Sequence, residues 1–316
     1  MAIYTTLNSF TDPGKSSICE LIESNLTMFF DWGVLNAGSF FNVSVPTSGQ
    51  YGGNKHQLRL VQDPNYSLGR VWEGYRSNWV WQSGLDTSVQ PIQVSGVRVA
   101  NTFYPLSTVG TYSHIVDYPN GRIIFNSPIP TGSVVTCQYT HKWINVVNID
   151  KVPWFKELQY NSNRIDSSYI SQVGSGDWFG LGQTRLQMPI IAVEMSNGGY
   201  STPYALGGGK WVYRRGVFHV FSEDEQTSKR LADMIQAQAD KTIFMVDLDA
   251  VGSSNRFPLN PAGSIASGAL TYPQMIEAFK GNKVRMIDVE IEKMSRITPS
   301  LFHLPVSMTT EAILPQ

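Results

Sequence analysis

Five carboxylates in the C-terminal half are of the type and spacing that could hold a hard cation: Glu194, Glu223, Asp224, Asp247 and Asp249. Glu194 ends an apolar run that starts at Met188. Asp247 and Asp249 close a second one that starts at Thr242. Glu223 and Asp224 open the helical pattern between the two. Oxygen donors of this kind suit Mg²⁺ or Ca²⁺, and a divalent-metal-dependent hydrolase would work through Glu194, Asp247 and Asp249. The structural reading outweighs it. Acidic side chains favour the positive end of a helix dipole, and a carboxylate after an apolar run marks the end of a strand.

Other chemistry is harder to assemble. The five histidines (His56, His114, His141, His219, His303) have no spacing that puts two on one helix face around a metal. Cys19 and Cys137 are too far apart in sequence for a zinc knuckle or a disulfide framework, which suits a reducing compartment. Gly207-Gly208-Gly209-Lys210 looks like part of a phosphate loop, but Trp211 stands where Ser or Thr is needed. Gly174 to Gly182 fails the dinucleotide fingerprint. No Gly-x-Ser-x-Gly elbow occurs, and no nucleophile has a partner base. The expectation is therefore a protein that is not an enzyme, with no catalytic residues, cofactor or metal.

Composition points toward contact surfaces. Charged residues are 16% of the 316, and the net charge is −1, against roughly 25% charged in an average soluble domain. Leu35 to Asn54 and Ile123 to His141 contain no Asp, Glu, Lys or Arg, yet are rich in Ser, Thr, Asn, Gly and Tyr. Such a surface suits contact with another protein. A protein that wraps nucleic acid through its phosphates carries a basic excess, which this chain lacks. No secretory signal opens it, and no apolar run is long enough for a membrane span. Three Asn-x-Ser/Thr triplets, at Asn25, Asn42 and Asn65, read as chance matches.

The elements that would carry these residues follow from periodicity. Ser16 or Ser17 can cap a helix to about Asp31, with Ile18, Leu21, Ile22, Leu26, Phe29 and Phe30 at helical spacing and Gly33 and Gly38 at its end. From there to Val147 the chain is β-rich, with turn signals about every ten residues. Asn120-Gly121 predicts a two-residue type I′ hairpin turn between His114–Tyr118 and Arg122–Phe125. Ser222-Glu223-Asp224-Glu225 reads as a capping box with Ser222 at the N-cap. Val217–Phe221, the helix after it and Thr242–Leu248 form a strand–helix–strand unit. A short helix over Tyr272–Lys280 and an alternating strand over Ile287–Glu292 come next, and Pro299 to Gln316 reads as a tail able to dock on a neighbour. The expected fold is α+β: a β-rich antiparallel N-terminal half, sandwich or barrel-like, over 1–147, an α+β unit over 148–298, and an arm over 299–316.

The order "PIIAVE…YALGGG…GVFHVFSEDEQTSKRLADMIQAQADKTI", from Pro189 to Asp249, resembles the core of tail-terminator (tail-completion) proteins of tailed bacteriophages. The N-terminal texture, "VSGVRV…HIVDYPNGRIIF…VVTCQYTHKWINVV", is similar to virion proteins of necks and baseplates. The resemblance implies a virion protein, assembled in the host cytoplasm. It would form a closed ring of copies at the head–tail junction, bind other neck or tail proteins, and leave a channel through which DNA passes without sequence-specific binding. A baseplate, collar or fibre-attachment station is the alternative within the particle. The hairpin from Tyr112 to Phe125 is suited to reach a neighbouring subunit, which makes Tyr112, Tyr118, Asn120, Gly121, Arg122 and Phe125 the candidate inter-subunit contacts.

Overall fold

A computed structural model describes residues 17–44, 55–82, 84–149, 187–205, 208–298 and 301–314. The fold is mixed α+β and rich in strand, with a curled, half-barrel sheet.

The first described element belongs to the C-terminal sheet module, not to the β-rich one. Helix α1 (Ile18–Asn36) opens with a capping box in which Ser17 Oγ accepts from Glu20 N and the Glu20 carboxylate accepts from Ser17 N. It runs past Asp31 and through Gly33, and ends before Gly38, whose φ of 87° only glycine adopts cheaply. Its apolar stripe, Ile22, Leu26, Phe30 and Val34, joins one core with Ile191, Val193, Phe218 and Val220. Asn25 is fully buried on the same helix. Its Oδ1 accepts from Val246 N at 2.6 Å, and its Nδ2 donates to Val246 O at 3.0 Å. Asn25→Ala leaves both backbone groups buried without a partner, so a loss of about 2–4 kcal/mol is expected. The urea midpoint measures it, and an unchanged midpoint would refute this role for the amide.

After α1 the chain leaves the sheet. Strand β1 (Phe40–Val43) goes out and β9 (Tyr139–Lys142) comes back beside it, antiparallel, with Phe40 opposite Lys142. Between them lie β2 (Arg59–Val61), β3 (Val71–Glu73), β4 (Gly96–Val99), β5 (Thr102–Pro105), β6 (His114–Asp117), β7 (Arg122–Phe125) and β8 (Val135–Cys137). They form a four-stranded sheet, β2-β3-β7-β6, and a three-stranded one, β5-β4-β8. Trp72, Trp79, Ile123, Phe125 and Tyr139 fill the core of this module. The expected boundary at 147/148 is thus replaced by a nested arrangement: the β-rich module is inserted between α1 and β10 (Asn145–Asn148), which pairs in parallel with the first strand of the sheet module. Sequence order hides this, because α1 and β10 find their partners only in space.

The sheet module comprises β11 (Ile190–Ala205), β12 (Gly208–Ser222), α2 (Glu225–Gln236), β13 (Thr242–Val246), α3 (Leu248–Ser253), α4 (Tyr272–Phe279), β14 (Lys280–Ile291), β15 (Ser295–Thr298) and β16 (Leu301–Leu314). Its strand order is β10-β11-β12-β16-β14-β13, with β15 on β16. Helices α1 and α2 cover one face. The N-cap of α2 is Asp224, whose carboxylate accepts from Thr227 N at 2.8 Å. Ser222 does not cap, because β12 continues through it and its hydroxyl turns inward to Ser228 Oγ at 2.8 Å.

The predicted tail is instead a central strand. β16 runs between β12 and β14, with Leu304, Val306, Met308, Thr310 and Ala312 buried in alternation. Pro305 is what suggested a tail, since a proline weakens a central-strand assignment. Its carbonyl accepts from Glu292 N, just beyond the last residue of β14. The missing N–H therefore falls where that ladder has already ended.

Candidate interaction surface

The hairpin expected to project lies inside its own module. Tyr118, Gly121, Arg122 and Phe125 are buried, and Tyr112 and Asn120 are half-buried. The turn also differs from the predicted two-residue type. Asp117 pairs with Arg122, so Tyr118-Pro119-Asn120-Gly121 is a four-residue loop with Gly121 N bonded to Tyr118 O. Asp117 shapes it by accepting from Asn120 N and Nδ2. A Cβ on Gly121 would sit 2.6 Å from Arg76 O, because the 74–79 segment wraps the loop. Across it, Tyr118 N donates to Gly263 O, and Ser264 Oγ donates to Val116 O at 2.6 Å, tying the hairpin to the sheet module. The loop is clasped on two sides, with Pro119 exposed and Asn120 half-buried at its surface.

A different hairpin does project. β11 and β12 pair from Ile190–Phe221 out to Ala205–Gly208. β10 covers only Ile190–Val193 of β11. Beyond Val193 the outer edge of β11 has no strand partner among the described residues; α1 covers it at Met195 and Ser196, where Met195 N donates to Glu23 and both carbonyls accept from Cys19 Sγ, so only the stretch beyond Ser196 offers a template for pairing. A register shift between Met195 and Gly199 re-aims the outer half. Tyr200 there is 59% exposed and Tyr204 52%. Tyr200 stacks on Tyr213 at 4.5 Å, and Tyr204 meets Trp211 edge-on at 5.5 Å. Exposed Lys210 and Arg215 flank these rings, with half-buried Arg214 beside them. Exposed aromatics beside cations are the usual anchors of protein contacts. The sequence offered Gly207-Gly208-Gly209-Lys210 only as an incomplete phosphate loop. The apolar run from Met188 and the strand Val217–Phe221 were legible on either side, but the full length of β11 and β12 was not.

At the base of the hairpin the sequence-predicted carboxylates separate. Glu194 accepts from His219 Nε2 at 2.9 Å. Asp247 caps α3 by accepting from Ala250 N at 3.0 Å. β12, β16 and β14 stand between their strands. Glu223 and Asp224 stay at the start of α2. Among the described residues no group of three His, Cys, Asp or Glu side chains is placed to hold a metal ion.

Glu194 instead ends a chain of hydrogen bonds that sequence reasoning missed. His219 Nδ1 is 3.0 Å from His303 Nε2, and His303 Nδ1 is 3.4 Å from Ser295 Oγ. With neutral rings one proton pattern satisfies every member: Ser295 donates to His303, His303 to His219, and His219 to Glu194. Burial holds both imidazoles below their ordinary value, His303 down to about 4 with the His219 ring adding to the effect, while the Glu194 carboxylate pulls His219 part of the way back. The network ties β11, β12, β15 and β16 together. Its serine–imidazole contact is long for a nucleophile and its base. The two histidines are 84 residues apart, so no local signal could have paired them.

No protein-family model and no curated protein matches this chain. No helix among the described residues is long and apolar enough to cross a membrane.

Proposed function

We propose that this chain is a structural subunit of a tailed-phage particle that forms a closed ring at the head–tail junction, joining tail to head and leaving a channel for DNA. The observation that carries the reading is the β11–β12 hairpin. Its exposed aromatics, Tyr200 and Tyr204, and the stretch of β11 beyond Ser196 that has no strand partner among the described residues are the kind of surface that another protein covers. The resemblance of Pro189 to Asp249 to tail terminators supplies the station. A net charge of −1 suits a channel that releases DNA, since each added phosphate contact would hold it back. Identical subunits close into a ring through head-to-tail contacts, each using two different patches of its surface.

Light scattering and negative-stain microscopy of the purified chain, alone and with isolated phage tails, test this. Rings with an open centre are expected, seated on the upper end of the tail. A chain that stays monomeric in both settings overturns the reading. Labelled copies found at the baseplate or on fibres would overturn the head–tail station while keeping the virion role.

A further inference from the structure

We infer that the outer half of the β11–β12 hairpin, through Tyr204 and Trp211, seats in a groove of the next copy, lined by Phe41, Arg76, Trp143, Gln187, Glu223 and Asp224. This deepens the ring reading and rests on it.

The groove lies between the β-rich module and the start of α2, and encloses about 300 Å³. That is room for one large aromatic side chain and part of a second. Its wall contains an exposed aromatic pair. Phe41 is 53% exposed and Trp143 41%, and their rings meet at 6.3 Å.

Charge agrees. Exposed Glu223 and Asp224 rim the groove, and backbone and hydroxyl hydrogen bonds from Thr227 hold the Asp224 carboxyl below its ordinary value, so it stays ionised. The hairpin carries Lys210, Arg214 and Arg215. Opposite charges at a rim steer encounter and set orientation.

Geometry forbids the contact within one chain. Ser222 and Pro189, at the groove, sit at the base of β12 and β11, whereas Tyr204 and Trp211 sit near their far end. The 15 residues of β12 span about 45–50 Å at ~3.3 Å per residue. Knob and socket at opposite ends of the same two strands make a head-to-tail interface, the type a ring of identical subunits needs.

Two variants test it together: a knob variant, Tyr204→Ala with Trp211→Ala, and a socket variant, Phe41→Ala with Trp143→Ala. All four side chains are partly exposed, and circular dichroism and urea midpoints report whether each variant keeps its fold. Each alone is expected to weaken self-association at least about 30-fold, the effect of losing an aromatic hot spot. Mixed in equal amounts they should form dimers and nothing larger, because the knob variant keeps a good socket and the socket variant a good knob. An alternative pair with milder changes, Trp211→Phe and Glu223→Gln, serves if the first set fails to fold, and should weaken association about 10-fold. A wild type that assembles while folded variants assemble equally well overturns the inference and leaves the ring standing. Variants that fail singly and stay monomeric when mixed also overturn it. A wild type that is monomeric alone overturns it as well, and one that is monomeric with tails too overturns the ring reading with it.

Discussion

Arg122→Ala is expected to lower the unfolding free energy by about 3–5 kcal/mol, read as a large fall in the urea midpoint. The Arg122 side chain is 5% exposed. Its guanidinium lies 3.2 Å from Asp63, whose side chain is 4% exposed, and 3.6 Å from Glu73. Truncation takes the cation away and leaves a carboxylate inside the β-rich module, near the clasped 118–121 loop. That uncompensated charge, more than any lost attraction, sets the size of the effect. The pair itself is worth little against an apolar substitute, because both ions lost their hydration to enter the fold. Arg122→Met with Asp63→Leu should therefore cost less than half of what Arg122→Ala does. If the double variant loses as much as the single one, the pair stabilises the module directly and this account of it is wrong. The Arg122 Nε has no hydrogen-bond partner, which also argues for a held charge over an optimised network.

Acid is expected to weaken the fold through its histidines between pH 6.5 and 4. Burial pushes His141 down to about 4, aided by the nearby Arg76 and Lys55 charges and opposed by its bond to the Lys142 carbonyl. His303 also falls to about 4, and burial lowers His114 and His219 in the same direction. In the unfolded chain these rings take up a proton near pH 6.5. In the folded chain His141 and His303 do so only near 4, so in that window the unfolded state binds more protons and stability drops as pH falls. Above pH 6.5 both states are neutral and the contribution is complete. Once the pH is below about 4 it has been lost. His141, 7% exposed, is expected to account for about 3 kcal/mol. Half-buried His303 should give less, because solvent screens it. Carboxylates titrate in the lower part of this window too, so the test is comparative. Urea midpoints at pH 7.5 and 4.5 for the wild type, His141→Gln and His303→Gln should show a smaller acid loss in each variant. An identical acid loss in all three would assign the effect to other groups. The same acid range should loosen the Glu194–His219–His303 chain at the base of the hairpin.

Local pattern fixed what depends on near neighbours along the chain. The apolar stripe of α1 and its cap at Ser17 follow from helical spacing and a hydroxyl before it. α4 follows from Thr271, Pro273 and Gln274. The β-rich texture, the α+β class and the strand–helix–strand order of β12, α2 and β13 were legible for the same reason: each is set by residues a few positions apart.

Pairing across long separations was not legible. Only the folded chain shows β14 and β16 filling the space between β12 and β13, so that a proline-bearing tail becomes a central strand. Only there do β1 and β9 lie side by side and reveal an insertion. The same distance effect decided which hairpin is exposed. Asn120-Gly121 marks a turn by its φ preferences, but whether a turn meets water depends on what packs over it, and segments 74–79 and 263–264 come from elsewhere in the sequence. Backbone propensity is a local energy. Burial, strand order and the meeting of His219 with His303 are properties of the whole packed chain, and no window of sequence contains them.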